Sequence, residues 1–214
     1  MKDFTVKEVT RNDCLPYILN VHYARRIPSI SYAYGLFYKD NLIGIVTYGK
    51  PASPSLCIGL AGKEHRGSVL ELNRLVITTP KGVDRKNLAS FLVGRSLRKL
   101  PTDLYIVSYA DCEGWHHTGY VYQATNFMYT GKTKRRTDIW SPSGHARHHC
   151  GNTQKRQIRT AKHRYVFITG KRKAELIKYI KYPILPYPKE VSETYDTTNP
   201  SPKDALVGKL LNLN

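Results

Sequence analysis

The stretch VLELNRLVITT sets the strictest limit on the fold of this chain. Side chains alternate between the two faces of a strand, and its first two leucines lie on one face, but Leu75 and Ile77 have the opposite parity. One extra residue in a strand re-aims every side chain after it. The pattern therefore predicts a strand with a β-bulge near Asn73 and Arg74.

The segments around this strand predict a mixed α/β domain. SYAYGLFYKDNLIGIVTYGKP has two apolar runs separated by KDN, as in a β-hairpin. DCLPYILNVHYA predicts a helix capped by Asp13, and the Gly-, Ser- and Pro-rich ASPSLCIGLAGKEHRGS predicts a loop. Asn87 can cap a helix in LASFLVGRSLRKL. A buried strand in DLYIVSYAD, a second helix and a strand in FMYTGKT follow.

Charge predicts the kind of partner. The 214 residues include 34 Lys or Arg and 16 Asp or Glu, a formal charge of +18, and such asymmetry favours a polyanion, with nucleic acid first. No apolar run approaches the roughly 20 residues of a membrane span, and the start lacks the apolar core of a secretory signal. We therefore expect a cytoplasmic protein without a membrane partner. The four cysteines form no CxxC, so free thiols are expected.

The cations concentrate between residues 132 and 173, where thirteen Lys or Arg accompany one acid, Asp138. RYVFITG and KAELIKYI within this range predict a strand and a helix, so we expect a partly structured basic elaboration of a single domain over residues 1–184. Residues 185–214 predict an extended or disordered tail. The nucleic-acid-binding residues expected in the elaboration are Arg135, Arg136, Arg156, Arg159 and Lys162.

Three local patterns are candidates for chemistry. In RLVITTPKGVDRKNLASFL a strand, a cationic loop and a helix N-terminus form a candidate phosphate site, although the glycine pattern of nucleotide loops is missing and an ordinary capped helix is the alternative. Glu71 on the bulged strand is either a general base or an outward-facing, ion-paired residue. Asp111 follows a buried strand, and open α/β sheets place their chemistry at strand ends.

The aromatic stretch after Asp111 has two interpretations. His116 and His117 are adjacent, so their side chains diverge and they cannot both bind one metal ion from a regular helix or strand. Tyr120 and Tyr122 could stack on a nucleobase or could belong to the core.

Several pieces of the chain closely resemble the phage Mom family of DNA adenine-modification proteins. They run in order from about residue 22 to 188. The pieces are HYARRIPS, YGLFYKDNLIGIVTYGKPASPSLC, ELNRLVI, NLASFLVGRSLRKLP, SYADCEGWHHTGYVYQATNFMYTG and KYPILPYP.

The resemblance implies a GNAT-like α/β (α+β) fold, with a mixed, mainly antiparallel sheet, a β-bulged strand that receives acetyl-CoA, and flanking helices. It implies that the exocyclic amine of adenine in double-stranded DNA becomes a carbamoylmethyl (methylcarbamoyl) derivative, which protects phage DNA from host restriction. Val76 and Ile77 would contact the pantetheine arm. The pyrophosphate would lie on Lys86, Asn87, Leu88, Ala89 and Ser90.

The resemblance also implies roles for individual residues. Asp111 would be a base or metal ligand, Tyr122 a general acid, and Arg74 a stabiliser of charge, with Glu71 and Ser90 matching family positions. Because the carbamoylmethyl product requires oxidation of the former methyl carbon, and the family is associated with iron, Fe(II) bound by His22, His117 and either Asp111 or Glu71 is expected. A flipped adenine needs an aromatic pocket, expected at Tyr32, Tyr34 and Tyr48.

Two other functions fit parts of the same pattern. A conventional GNAT acetyltransferase acting on a protein or RNA amine needs the bulge and the pyrophosphate site but no metal. A non-catalytic basic nucleic-acid-binding protein needs the charge alone.

Overall fold

The computed structural model describes residues 3–113, 116–139 and 156–189 of the chain. They fall into two compact units. Of the described residues, the first unit comprises 3–108, 120–131 and 165–187, and the second comprises 109–113, 116–119, 132–139, 156–164 and 188–189. Most of the expected tail, residues 190–214, lies outside the described residues. The single domain over residues 1–184 therefore stays a prediction.

A seven-stranded mixed sheet forms the core of the fold. Its strands are β1 (Phe4–Glu8), β2 (Tyr32–Tyr38), β3 (Asn41–Gly49), β4 (Val69–Ile77), β5 (Tyr105–Asp111), β6 (Met128–Lys132) and β9 (Lys162–Ile168). They are arranged in the order β1-β2-β3-β4-β5-β9-β6. Strands β1 to β4 pair antiparallel, and β4 pairs parallel with β5. A separate two-stranded antiparallel sheet pairs β7 (Arg136–Ile139) with β8 (Arg156–Arg159).

Helices accompany the sheet and complete the expected fold class, an α/β fold with a mixed, mainly antiparallel sheet. The helices are α1 (Arg11–Pro16), which continues as a π-helical turn Tyr17–Val21, α2 (Pro54–Ala61), α3 (Leu88–Leu97), α4 (Tyr120–Ala124) and α5 (Lys173–Leu176). Short 3₁₀ turns cover Arg66–Ser68 and Ile177–Tyr179. Across the described ranges no helix is long and apolar enough to cross a membrane.

Helix α2 corrects the loop predicted for this segment. Pro54 opens the helix, where a missing backbone N–H costs nothing, and Cys57, Leu60 and Ala61 are buried. The cap predicted at α1 also differs. The N-cap is Thr10, whose side chain accepts from the Asp13 backbone N–H, while the Asp13 carboxylate closes the capping box.

The bulge predicted in β4 is confirmed. Arg74 lies opposite Thr47, and Leu72 lies opposite Tyr48, so Asn73 is the additional residue of β4. The side chains after it change face, which accounts for the parity slip in the sequence.

The aromatic pocket expected at Tyr32, Tyr34 and Tyr48 is wrong for two of its members. Tyr34 is 1% exposed and Tyr48 is fully buried. The Tyr48 hydroxyl is hydrogen-bonded to Ser96 Oγ at 2.6 Å, and burial raises the pKa of Tyr34 to about 12. Both rings belong to the core, because the sheet is covered at these positions.

Candidate functional site

The bulge residue Asn73 ties the segment 22–31 to the sheet. Its Oδ1 accepts a hydrogen bond from Thr47 Oγ1 at 2.6 Å, and its Nδ2 donates to the Ser29 carbonyl at 2.8 Å. A bulge aims one side chain away from the regular alternation. Here that side chain bridges a buried strand residue and the backbone of a loop.

Arg74 completes this attachment from the next position. Its Nη2 donates to the Arg26 carbonyl at 2.8 Å and its Nη1 to the Asn73 carbonyl at 2.6 Å. Burial lowers the pKa of Arg74 from its usual value. Because the guanidinium donates to these backbone carbonyls, Arg74 is a positioning residue for the segment. Its role as a stabiliser of reaction charge stays a prediction.

The same segment lies directly on the end of β3. The Ser31 N–H donates to the Tyr48 carbonyl at 2.7 Å. A Cβ atom at Gly49 would lie 1.9 Å from the Ser29 carbonyl oxygen, well inside van der Waals contact. Only glycine allows the two backbones to approach this closely.

Tyr122, from α4, lies beside the bulge. Its hydroxyl is hydrogen-bonded to the Ser108 side chain, and Ser108 Oγ donates to the Leu72 carbonyl at 3.0 Å. Burial raises the pKa of Tyr122 to about 12, although the bond to Ser108 opposes the shift. Its ring packs 5.4 Å from that of Phe127. Tyr122 is therefore a fixed phenol that keeps its proton at neutral pH.

His22 and Tyr23 place an aromatic surface near this phenol. The two rings are stacked with centroids 4.4 Å apart, and Tyr23 is 40% exposed. His22 Nδ1 accepts from the Ala24 N–H at 3.0 Å, which fixes the imidazole. Tyr23 lies near enough to affect the pKa of both Arg74 and Tyr122, and so does Glu71.

The second half of β4 presents a backbone edge. Among the described residues, β4 pairs with β5 only over Val69–Glu71. Val76 and Ile77 lie beyond that range and pair with β3 on their other edge. The Arg85 guanidinium donates to the Ile77 carbonyl at 3.2 Å. Val76 and Ile77 therefore lie beyond the described pairing with β5, and their contact with pantetheine stays a prediction.

The N-terminus of α3 follows this edge in the chain. Asn87 is the N-cap, as predicted, but its φ is +62° and its side chain makes no capping hydrogen bond. Ser90 Oγ donates to the Asn87 carbonyl at 3.0 Å, and the Lys86 N–H donates to Asp84 Oδ1 at 2.9 Å. Lys86 and Asn87 are exposed, Leu88 is buried, and Ala89 and Ser90 are half-buried.

Asp111 and His117 belong to the second unit. The His117 N–H donates to the Asp111 carbonyl at 2.8 Å, and the Glu113 N–H donates to Asp111 Oδ1 at 3.2 Å. Burial lowers the pKa of His117, while the negative charge of Asp111 opposes the shift. His117 is therefore neutral at pH 7, and His116 beside it is exposed.

The expected Fe(II) ligands do not form a recognisable site. Within residues 3–113, 116–139 and 156–189, no three His, Cys, Asp or Glu side chains are grouped so that they could hold a metal ion. The described residues give iron no support.

Glu113, which sequence reasoning missed, holds the base of the basic elaboration. Its Oε1 accepts from Arg135 Nε at 2.7 Å, and its Oε2 accepts from the Ala161 N–H at 2.8 Å. Burial raises the pKa of Glu113, but these two donors outweigh it and the net shift is downward. The available signal was one acid close to a long run of cations.

Strands β7 and β8 form a ribbon next to this base, and we call residues 133–139 and 156–162 the basic ribbon. Arg136 and Arg159 are direct cross-strand partners, and Arg136 is exposed. The Lys162 N–H donates to Thr133 Oγ1 at 3.0 Å. Arg156 lies on β8, but its side chain is outside the described part of the structure.

Comparison with known proteins finds one matching family model and several solved structures of low sequence identity. A family model described as "Mom protein family" matches residues 3–149. The chain resembles a GNAT family acetyltransferase from Elizabethkingia anophelis solved with acetyl-CoA bound (12% identity, 78% of this chain, 99% of that chain, TM-score 0.46). It also resembles a Bacillus cereus GNAT acetyltransferase (13% identity, 78% of this chain, 99% of that chain, TM-score 0.43). A third similar structure is a Drosophila melanogaster polyamine N acetyltransferase (12% identity, 78% of this chain, 100% of that chain, TM-score 0.46). No curated protein matches the chain.

Proposed function

The chain belongs to the Mom protein family, whose members modify phage DNA, and we propose that it converts the exocyclic amine of adenine in double-stranded DNA to a carbamoylmethyl derivative, using acetyl-CoA. The observation that carries the proposal is the family match over residues 3–149. The proposed reaction takes place in the bacterial cytoplasm, and it protects phage DNA from host restriction.

The acetyl-CoA site of this proposal lies on β4 and α3. Pantetheine is an extended chain of amides, so it can pair with the backbone of Val76 and Ile77 as an additional strand pairs with a sheet edge. The pyrophosphate then lies at the N-terminus of α3, where backbone N–H groups and the helix dipole favour an anion. Lys86 adds a cation that is exposed at this point.

The target base requires an aromatic surface, because an adenine must leave the duplex before its amine can react. Tyr34 and Tyr48 are buried in the core. We assign this contact to Tyr23, whose ring is exposed, backed by His22 and near Tyr122. The hydrogen bonds of Asn73 and Arg74 to the segment 22–31 hold the ring at this position.

Tyr122 supplies a hydrogen bond rather than a free proton. A cysteine thiol has a pKa of about 8.5, so full transfer of a proton to such a thiolate from a phenol of pKa about 12 is uphill by about 5 kcal/mol. The phenol can still stabilise negative charge on a leaving sulfur through its O–H. Glu71 and Asp111 are the carboxylates proposed to accept the proton of the adenine amine.

The product also demands chemistry that acyl transfer does not provide. Attack of the amine on the acetyl carbonyl gives an acetamide, whereas the carbamoylmethyl product joins the amine to the former methyl carbon. That bond requires removal of two electrons from the acetyl group and a nitrogen source for the amide. Fe(II) stays an expectation from the family resemblance, to be checked by metal analysis of anaerobically purified protein.

The experiment is mass spectrometry of nucleosides from bacterial DNA after expression of the full chain. We expect deoxyadenosine carrying a carbamoylmethyl group in place of one hydrogen. Tyr122→Phe should lower the modified fraction about a hundredfold, because the ring stays while the O–H is removed. The matched control is Tyr120→Phe, which alters an exposed tyrosine of the same helix and should leave the fraction unchanged.

Other products would assign the alternatives. An acetyl group on adenine would indicate plain acyl transfer at the same base. Unmodified DNA together with acetylated protein or RNA would indicate a conventional acetyltransferase, and unmodified DNA with no acetyl-CoA binding by calorimetry would indicate a non-catalytic DNA-binding protein.

A further inference from the structure

The basic ribbon places two cations directly opposite each other. Arg136 and Arg159 are partners across β7 and β8. Such partners have Cβ atoms about 4.5–5.5 Å apart, and like charges in this position destabilise a sheet. A sheet of only two strands is also marginally stable in water. The ribbon therefore needs support from the rest of its unit, and an anion bound near the two guanidinium groups would stabilise it further.

The support is present in the structure. Glu113 binds Arg135 Nε and the Ala161 N–H with its two oxygens, at 2.7 and 2.8 Å, so it joins the residues on both sides of the ribbon. Cys112 adds a contact from Sγ to the Ala161 carbonyl at 3.2 Å. Thr133 and Lys162 exchange two more hydrogen bonds at the same end. These contacts hold the first cross-strand pair, Arg136 and Arg159, together.

Charge identifies the class of anion. Residues 132–139 and 156–164 contain eight Lys or Arg and one acid, so the surface favours a polyanion rather than a single small anion. Guanidinium groups match phosphate oxygens with two parallel hydrogen bonds. A two-stranded ribbon also has dimensions that the major groove of DNA accepts.

We propose that Arg136 and Arg159 together bind one backbone phosphate of duplex DNA, and that Glu113 is the positioning residue that holds the ribbon for this contact. The inference rests on the proposed function, since that function supplies DNA as the partner. It assigns different roles within the basic elaboration. Arg136 and Arg159 bind DNA, whereas Arg135 binds Glu113.

The test is binding of the full chain to a short fluorescent DNA duplex, measured over a series of salt concentrations. Glu113→Gln gives the sharpest result, because it removes a negative charge from a basic surface. Simple electrostatics predicts tighter binding. The proposal predicts binding about tenfold weaker, because glutamine has one carbonyl oxygen and can keep only one of the two anchoring bonds. Glu8→Gln, an exposed acid of β1 with the same change in net charge, is the matched control.

The salt dependence tests the shared phosphate. Removal of one phosphate interaction lowers the slope of log K against log salt by about 0.9. Arg136→Ala and Arg159→Ala should each weaken binding but leave the slope nearly unchanged, because the remaining guanidinium still neutralises the shared phosphate, whereas the double variant should show a slope reduced by about 0.9. Lys99→Ala, an exposed cation after α3, should leave the slope unchanged.

Several outcomes would overturn the proposal. A reduction of about 1.8 in the double variant would mean two separate phosphates, and unchanged or tighter binding by Glu113→Gln would remove the anchoring role. Duplex RNA that competes as well as DNA would assign the ribbon to another partner. Hydrogen exchange at the Ala161 amide gives an independent readout, since Glu113→Gln should speed it if the anchor exists. If the wild-type chain fails to bind duplex DNA, the proposed function fails as well.

Discussion

The bulged strand of the first unit and the basic ribbon of the second use polar groups in opposite ways. Around the bulge, Asn73, Arg74 and Ser108 direct their donors to backbone carbonyls, and the Tyr122 hydroxyl is hydrogen-bonded to Ser108. In the ribbon, cations face each other across two strands, and one carboxylate, Glu113, holds the base.

The two regions should therefore respond differently to substitution. The half-buried polar groups around the bulge act through geometry, since a donor that is out of water and loses its acceptor costs desolvation energy. Exposed cations act through summed charge, which salt screens and which additional cations can replace. Changes near the bulge should affect chemistry and stability, and changes in the ribbon should affect DNA affinity.

The variant with the largest expected effect tests whether the second unit takes part in the reaction or only binds DNA. Asp111→Asn keeps the shape and an acceptor for the Glu113 N–H but removes the carboxylate base. The modified fraction of adenine should fall by at least about a hundredfold, while duplex affinity stays close to that of wild type. Nucleoside mass spectrometry and fluorescence anisotropy measure the two quantities.

Asp111→Ala separates chemistry from support in the same strand. Asp111→Ala removes the hydrogen-bond acceptor as well as the charge. If the bond from the Glu113 N–H to this acceptor holds Glu113 in place, the variant should lose DNA affinity in addition to activity. Full activity in either variant would make Asp111 a purely structural residue and would weaken the contrast between the two regions.

An intermediate effect is expected from Gly49→Ala at the bulge. The new methyl group would overlap the Ser29 carbonyl oxygen, so either the segment 22–31 moves or the strand distorts. Urea unfolding should show a loss of about 1–3 kcal/mol, and modification should fall because Tyr23 is displaced. Gly67→Ala is the control, since a Cβ there meets no atom within 4 Å. Equal stability of the two variants would contradict the close approach.

The smallest expected effect concerns His117 and pH. Because its pKa is lowered in the folded chain, the unfolded chain binds the proton more readily, and stability falls as the pH drops below about 6.5. His117→Gln should reduce this loss by less than about 1 kcal/mol between about pH 7.5 and 5.5. Identical pH profiles for wild type and His117→Gln would show that burial of His117 does not cause the loss.

Local patterns explain which structural predictions are confirmed. The bulge was predictable because the apolar side chains along β4 change from even-numbered to odd-numbered positions. Helix α2 was missed because glycine and proline are common in loops, yet Ser53 and Pro54 followed by Leu56, Cys57, Leu60 and Ala61 also fit a helix start with an apolar face. Composition outweighed periodicity in that prediction.

The candidate site depended on contacts that no local pattern contains. Tyr34 and Tyr48 looked suitable for an aromatic pocket, but burial depends on what covers the sheet. Glu113 looked like an isolated acid, but Arg135 and the Ala161 N–H reach it from 22 and 48 residues away in the chain. Arg74 looked like a charge stabiliser, and in the structure it donates to the Arg26 carbonyl.

Residue type and spacing were enough to predict most of the element order, the bulge and the cationic surface, because each is encoded along one stretch of chain, and the family was predicted from several motifs in order along the chain. Three features required the folded chain: which aromatic ring is exposed, which carbonyls Arg74 and Asn73 bind, and which acid holds the ribbon. Burial and hydrogen-bond partners depend on distant segments. Chain folding, rather than local alternation, brings those segments within about 3 Å of one another.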